Sequence, residues 1–389
     1  MVVISAQIER SGREKMKIDK IARKGILDLT PYVPGKSIEE VERELGKKRW
    51  VKLASNENVL GPSPKAIAAI RKELLNLHMY PEGPCPDLRQ ALAQRFSVSE
   101  KNIVISNGAD NVLVLIASAF MNEGEEALMA TPSFSVYPTV TRIMGGTPVE
   151  IELKAYTHDL PSMLNKVTPK TKLIFVCNPN NPTGTIVGQK EVDTFLSRIP
   201  EQVILVLDEA YCDFADSPEY PKGLDYVREG RPVILIRTFS KVYGLAGLRV
   251  GYAIGRADLM DCLYRAREPF PVHRLGQAGA VAALQDKTHA EKSVQMVLEG
   301  RRYLYQELDQ LGLFYVPSQA NFIFMDLGKD SKEMLQNLLK EGVIIRPGYI
   351  WGYPTFARVT VGRLEDNRRF IKALRKNLNE NRSSGLMTR

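Results

Sequence analysis

Short apolar runs bounded by turn residues alternate with stretches of helical spacing through the middle of this 389-residue chain. The runs fall at 103–105, 126–129, 173–177, 203–207, 233–236 and 250–254. Between most of them, at 111–120, 136–144, 189–198 and 256–267, apolar residues recur every three or four positions. Runs that are apolar at every position predict strands buried on both faces. Strands separated by crossover helices predict a mostly parallel sheet with helices on either side. Earlier in the chain the spacing of Ile67, Ile70 and Leu74 predicts a helix over 64–75, the pattern repeats over 87–96, and a further helical stretch covers 37–45. The last third reads differently. A long helix is predicted over 278–311, followed by an apolar run at 321–326, a helix at 332–341 and another run at 356–361, as in a smaller α+β unit. The fold class is therefore α/β. The predicted organisation is an N-terminal arm of mixed charge over 1–27, a large unit over 62–270, a small unit built from 28–61 plus 271–380, and a tail over 381–389.

Composition narrows this picture only modestly. With 44% hydrophobic and 25% charged residues the chain has the proportions of packed domains. No apolar run approaches the ~20 residues of a membrane span. The opening residues lack the basic-then-apolar order of a secretory signal, and Glu9, Glu14 and Asp19 are out of keeping with a transit peptide, so the expected location is the cytoplasm and no membrane partner is expected. The formal charge of +8 raises the question of a nucleic-acid partner. Neutralising phosphates requires clustered Lys and Arg, and here the excess is spread thinly except at the two ends, so none is expected. The 4 Cys form no C-x-x-C pair and the 4 His are too widely spaced for a paired metal site, so neither a disulfide framework nor a metal is expected.

Candidate chemistry sits at the ends of the apolar runs. There is no G-x-G-x-x-G and no G-x-x-x-x-G-K-[ST], which removes the two commonest phosphate loops. Ile105-Ser106-Asn107-Gly108-Ala109-Asp110 joins a strand to a helix through glycine, and the N–H groups of Gly108, Ala109 and Asp110 suit an anion. A capped helix after a tight turn accounts for the same residues. Asn178-Pro179-Asn180-Asn181-Pro182-Thr183-Gly184 makes a stiff turn after the 173–177 run, and Asp208-Glu209-Ala210-Tyr211 ends the 203–207 run. The carboxyl ends of strands are where open α/β sheets bind ligands. Asp208 reads equally as a helix cap or as a buried charge awaiting a cation. Thr238-Phe239-Ser240-Lys241-Val242-Tyr243-Gly244 then sets a lysine among apolar neighbours, where desolvation would lower its pKa and suit it to imine formation and proton transfer, although by itself a solvated surface lysine is the commoner reading of such a position. Ser240 and Arg249 supply anion donors nearby.

Taken in order, NPNNPTG, DEAY, FSKVYGLAGLRVG and FARVTVG resemble the pyridoxal-phosphate-dependent aminotransferases of fold type I, and more narrowly the histidinol-phosphate aminotransferase branch. The likeness spans about 29–374. It implies that pyridoxal 5'-phosphate is the cofactor and Lys241 the lysine bonded to it, which then moves the proton between Cα and C4′. It implies that Asp208 pairs with the pyridinium nitrogen, that Tyr211 and Asn181 bond the ring's phenolic oxygen, and that Phe134 stacks on the ring. The phosphate is implied to sit on the Gly108, Ala109 and Asp110 amides with Ser240 and Arg249, joined by Tyr80 from a neighbouring subunit, which makes the enzyme a homodimer with shared sites. Arg358, Arg346 and Tyr32 match substrate-binding positions. The implied reaction passes the amine of L-histidinol phosphate to 2-oxoglutarate, giving imidazole acetol phosphate and glutamate in histidine biosynthesis. An aromatic or broad-specificity aminotransferase shares these motifs, and Tyr349, Ile350, Trp351 and Tyr353 would suit an apolar wall for such substrates. A decarboxylase or β-lyase using the same cofactor, and a non-catalytic nucleic-acid binder, are the more distant readings.

Overall fold

The computed structural model describes residues 18–27, 29–31 and 34–384. Twelve strands occur among them: β1 (Val51–Leu53), β2 (Ile103–Ser106), β3 (Glu126–Thr131), β4 (Thr147–Glu152), β5 (Thr171–Cys177), β6 (Ile204–Asp208), β7 (Val233–Thr238), β8 (Gly251–Gly255), β9 (Tyr315–Val316), β10 (Phe322–Asp326), β11 (Val343–Pro347) and β12 (Phe356–Thr360). The six apolar runs of the middle region become β2, β3, β5, β6, β7 and β8, and join β4 in one seven-stranded sheet of order β2-β8-β7-β6-β5-β3-β4. Neighbours from β7 to β4 pair in parallel, while β8 runs antiparallel to both β7 and β2.

Alternate residues of each central strand feed opposite cores. Leu173, Phe175 and Cys177 of β5 face helices Gly108–Phe120 and Ala257–Ala266. Ile174 and Val176 face the other side, with Leu88 and Leu92 of helix Pro86–Phe96. This is why the run carries no polar position, and each fully buried Leu or Phe contributes about 1.5–3 kcal/mol. β4 was not predicted. It lies at the sheet edge, with Thr147 and Glu152 exposed, so its sequence mixes polar residues into the strand.

A second sheet of order β1-β11-β12-β10-β9 is built mostly from the last third. Its edge strand β1 comes from the N-terminal segment and pairs in parallel with β11, Val51 opposite Val343. The predicted helix over 278–311 is two helices, Arg274–Leu284 and Lys287–Leu311. Gln285 and Asp286 break it, letting the first helix pack on Pro64–Glu73 and Pro86–Phe96 while the second runs beside Leu364–Ser384. Asp286 sits at the N-cap of the second helix, a start signal inside an otherwise continuous apolar pattern. No helix among the described residues is long and apolar enough to cross a membrane.

Candidate active site

Every parallel strand of the large sheet leaves its carboxyl end at the same edge, and the loops that follow converge there. Ala109 and Asp110 follow β2, Phe134 follows β3, Asn181 follows β5, Asp208 and Tyr211 close β6, and Ser240, Lys241 and Arg249 follow β7. These nine residues line one cavity of about 400 Å³. Gly108 supports it from the first turn of helix Gly108–Phe120. Its φ is +82°, and a Cβ there would lie 2.5 Å from Nη2 of Arg249, so glycine allows the guanidinium to rest on the helix start. Gly251 on β8 serves the same corner, because a Cβ would meet the Ala109 nitrogen at 2.4 Å. Arg249 is held there by Asp110, with Nη2 3.3 Å from Oδ2, and by donating to the Ala246 carbonyl. The amides that open the helix, Arg249 and the buried Ser240 thus form a cationic and donor-rich corner.

The same cavity holds Asp208, 4% exposed. Its Oδ2 accepts from the Tyr137 hydroxyl at 2.8 Å and its Oδ1 from the Ala210 amide at 3.1 Å. No salt bridge reaches it among the described residues. Burial pushes its carboxyl up to about 6, against the opposing pull of these two donors. Lys241 lines the cavity too, its Nζ 5.4 Å from the centre of the Tyr211 ring. Burial, reinforced by the nearby Arg358 guanidinium, brings its ammonium down to about 8, although Asp110 and Glu57 oppose the shift. The amine is thus available as a nucleophile near neutral pH.

Arg358 couples the two sheets. From β12 its Nη1 donates to Asn181 Oδ1 at 2.6 Å and its Nη2 to the Ala54 carbonyl at 2.7 Å. Its guanidinium carbon lies 5.3 Å from the Trp351 ring and 5.4 Å from the Phe322 ring. Because arginine only donates, Asn181 must turn its oxygen toward Arg358 and its NH2 toward the cavity. Arg346 faces Arg358 directly across the β11–β12 pair, so both side chains share one face of the small sheet. Tyr80 does not line this chain's cavity. It is 79% exposed and stacks on Phe270, the ring centres 4.7 Å apart. Tyr32 lies outside the described residues. Of the residues suggested for an apolar wall, Tyr349 and Ile350 are exposed, Trp351 packs on Arg358 and Phe324, and Tyr353 joins Tyr156, Phe324 and Phe356.

Two residues that bear directly on the site were not singled out from sequence. Tyr137, fully buried and stacked on Phe175, reads as ordinary core on its helix, yet its hydroxyl binds Asp208. Asn56 looks like one polar turn residue among several in Ser55-Asn56-Glu57-Asn58, yet its side chain donates to the Tyr211 hydroxyl at 3.0 Å.

The geometry suits a planar, anionic ligand with an aldehyde for Lys241, a phosphate for the helix start and a cationic ring nitrogen for Asp208. Comparisons with known proteins agree. The family model for aminotransferase class I and II matches residues 48–374. The chain is 50% identical to histidinol-phosphate aminotransferase of Moorella thermoacetica, over 91% of this chain and 92% of that protein. It is 44% identical to the enzyme of the same name from Caldicellulosiruptor saccharolyticus, over 91% and 99%. Among solved structures it is similar to histidinol-phosphate aminotransferase from Sinorhizobium meliloti in complex with pyridoxal 5'-phosphate, with a TM-score of 0.83, 27% identity, and coverage of 94% of this chain and 99% of that one.

Proposed function

The chain belongs to the class I and class II aminotransferases, and we propose that it moves the amine of L-histidinol phosphate to 2-oxoglutarate, with pyridoxal phosphate as cofactor. The observation that carries the cofactor reading is the meeting in one cavity of Lys241 and the buried Asp208, which has no salt-bridge partner among the described residues. The substrate reading rests on the relatives named above and on two arginines facing each other across β11 and β12. When bound, pyridoxal phosphate supplies an aldehyde that takes up the amine and a ring that accepts the electron pair released at the amino acid's Cα.

The residues divide this work. Asp208, as a carboxylate, holds the proton on the ring nitrogen and so keeps the ring electron-poor. Tyr137 and the Ala210 amide keep that carboxylate in place. The Gly108–Asp110 amides, Ser240 and Arg249 bind the phosphate, and Phe134 covers one ring face. Lys241 would hold the cofactor through its aldehyde and would also move the proton at the substrate Cα. Asn181, its oxygen held by Arg358, donates its NH2 to the phenolic oxygen beside Tyr211. Arg358 and Arg346 bind the anionic ends of the two substrates in turn, a carboxylate from 2-oxoglutarate and a phosphate from histidinol phosphate, with Tyr32 beside them. A homodimer in which Tyr80 completes the partner's phosphate site, a cytoplasmic location, and a division into units 62–270 and 28–61 plus 271–380 belong to the same proposal. The two sheets and the exposed side chains around Tyr80 support it.

The test is to compare kcat/KM for histidinol phosphate and for phenylalanine, with 2-oxoglutarate as acceptor. Histidinol phosphate is expected to lead by a factor of about 10⁴ or more, the scale on which sites built to bond a polar substrate group reject analogues that lack it. A lead for phenylalanine would assign the chain to the aromatic aminotransferases instead.

A further inference from the structure

Asn56 has backbone and side chain locked in an unusual state. Its φ is +55°, the left-handed region, and it is 1% exposed. That conformation is held from two sides, by the Asn321 amide donating to its carbonyl at 3.0 Å and by its own N–H donating to Thr360 Oγ1 at 2.9 Å. Thr360 is equally buried. With its oxygen already accepting from the backbone, the Thr360 hydroxyl turns its single proton to Asn56 Oδ1, 3.2 Å away. The amide orientation follows from this chain of donors: oxygen toward Thr360, NH2 toward Tyr211. Asn56 Nδ2 then donates to the Tyr211 hydroxyl at 3.0 Å. Tyr211 is 5% exposed, its ring is fixed edge-on to Phe322, and it lines the cavity. Its oxygen receives a proton from Asn56, and its own proton has no acceptor among the described residues. That proton is left to point into the cavity.

We propose that Asn56 is a positioning residue which, set by Thr360, forces Tyr211 to act only as a donor toward the cofactor's phenolic oxygen. This rests on the pyridoxal phosphate reading and adds to it a relay that runs from Thr360 through Asn56 to Tyr211. The consequence is electronic. A donor fixed on the phenolic oxygen withdraws density from the neighbouring Lys241 nitrogen, which then binds its proton less readily. Reversing Tyr211 removes that effect.

The experiment follows the visible absorbance of the bound cofactor against pH in the holoenzyme, a readout independent of turnover. Tyr211→Phe removes the donor and is expected to raise the titration midpoint by about one pH unit, the size of a lost charge-assisted hydrogen bond. Asn56→Asp keeps a residue that tolerates the left-handed backbone but accepts the Tyr211 proton, and is expected to raise the midpoint similarly. Thr360→Val does the same without adding charge, since the Asn56 amide is then free to turn over, and Thr360→Ser restores the wild-type midpoint. In the Tyr211→Phe background the Asn56 and Thr360 changes are expected to add less than half of their single effects. If Tyr211→Phe leaves the midpoint in place, the cofactor role of Tyr211 fails. If it moves the midpoint while Thr360→Val does not, or does so equally without the Tyr211 hydroxyl, the relay through Asn56 is overturned. Should Asn56→Asp not fold, Thr360→Val decides the matter alone.

Discussion

Asp208 is a carboxylate kept in a place that suits it only when a cation is opposite. Burial lifts its pKa from 3.8 to about 6, and the donors Tyr137 and Ala210 return only part of what desolvation takes. The raised value fixes the sign of its linkage to stability. In the cofactor-free protein its contribution is whole below about pH 4 and is lost as pH rises through about 6, because the native state then gives up a proton that it binds more tightly than the unfolded chain does. The loss amounts to about 3 kcal/mol. Asp208→Asn is neutral at every pH, so the cofactor-free variant should be the more stable protein at pH 8 and lose that advantage toward pH 4, while binding pyridoxal phosphate far more weakly. Chemical denaturation of both apo forms at the two pH values checks this. An equal gap at both pH values would mean that Asp208 does not bear the burial cost assigned to it.

At the level of elements, the strand ends are what made the site legible. Runs without polar positions announced β2, β5, β6 and β7, and Gly108, Asn181, Asp208 and Lys241 stand just beyond them, so order along the chain was enough to gather them. What stayed hidden depends on contacts remote in sequence. Asn56 gains its meaning from Thr360, 304 residues away, and Tyr137 from Asp208, 71 residues away. β1 is only three residues long and is a strand because β11 is beside it. The break at Gln285–Asp286 was masked by a helical pattern that continues through it. The corner where helix Gly108–Phe120 leaves β2 is where local sequence and remote contact meet. Gly108→Ala would strain a φ of +82° and press on the Arg249 guanidinium. Gly247, in the loop just before Arg249, has open space around its Cβ position and serves as the control. Cofactor affinity measured by equilibrium dialysis is expected to fall about tenfold in Gly108→Ala, the effect of about 1.4 kcal/mol, and to stay within twofold in Gly247→Ala. Equal affinities in the two variants would remove Arg249 and the helix start from the phosphate site.

For the whole molecule the telling feature lies outside the cavity. Leu74, Leu75, Leu77, Met79 and Tyr80 are exposed along one segment, Leu75 by 85%, with Phe270 stacked on Tyr80. So dense a set of apolar side chains on a surface marks an interaction site. The proposed homodimer would pair two such surfaces about a two-fold axis, with the Tyr80 of each chain serving the site of the other. Lys241→Ala and Tyr80→Ala separate this arrangement from one in which Tyr80 serves its own chain. In a mixed dimer one cavity lacks its lysine and is dead. The other keeps Lys241, and in the shared arrangement it receives its tyrosine from the lysine-less chain, so it is intact. Equal mixing with full subunit exchange makes half the dimers mixed and restores about a quarter of the wild-type sites. Cofactor retention and turnover should therefore rise well above the mean of the two parents once exchange is verified by co-purification through a tag on one variant. If Tyr80 acts within its own chain, the surviving lysine always lies beside the missing tyrosine, and mixing restores nothing.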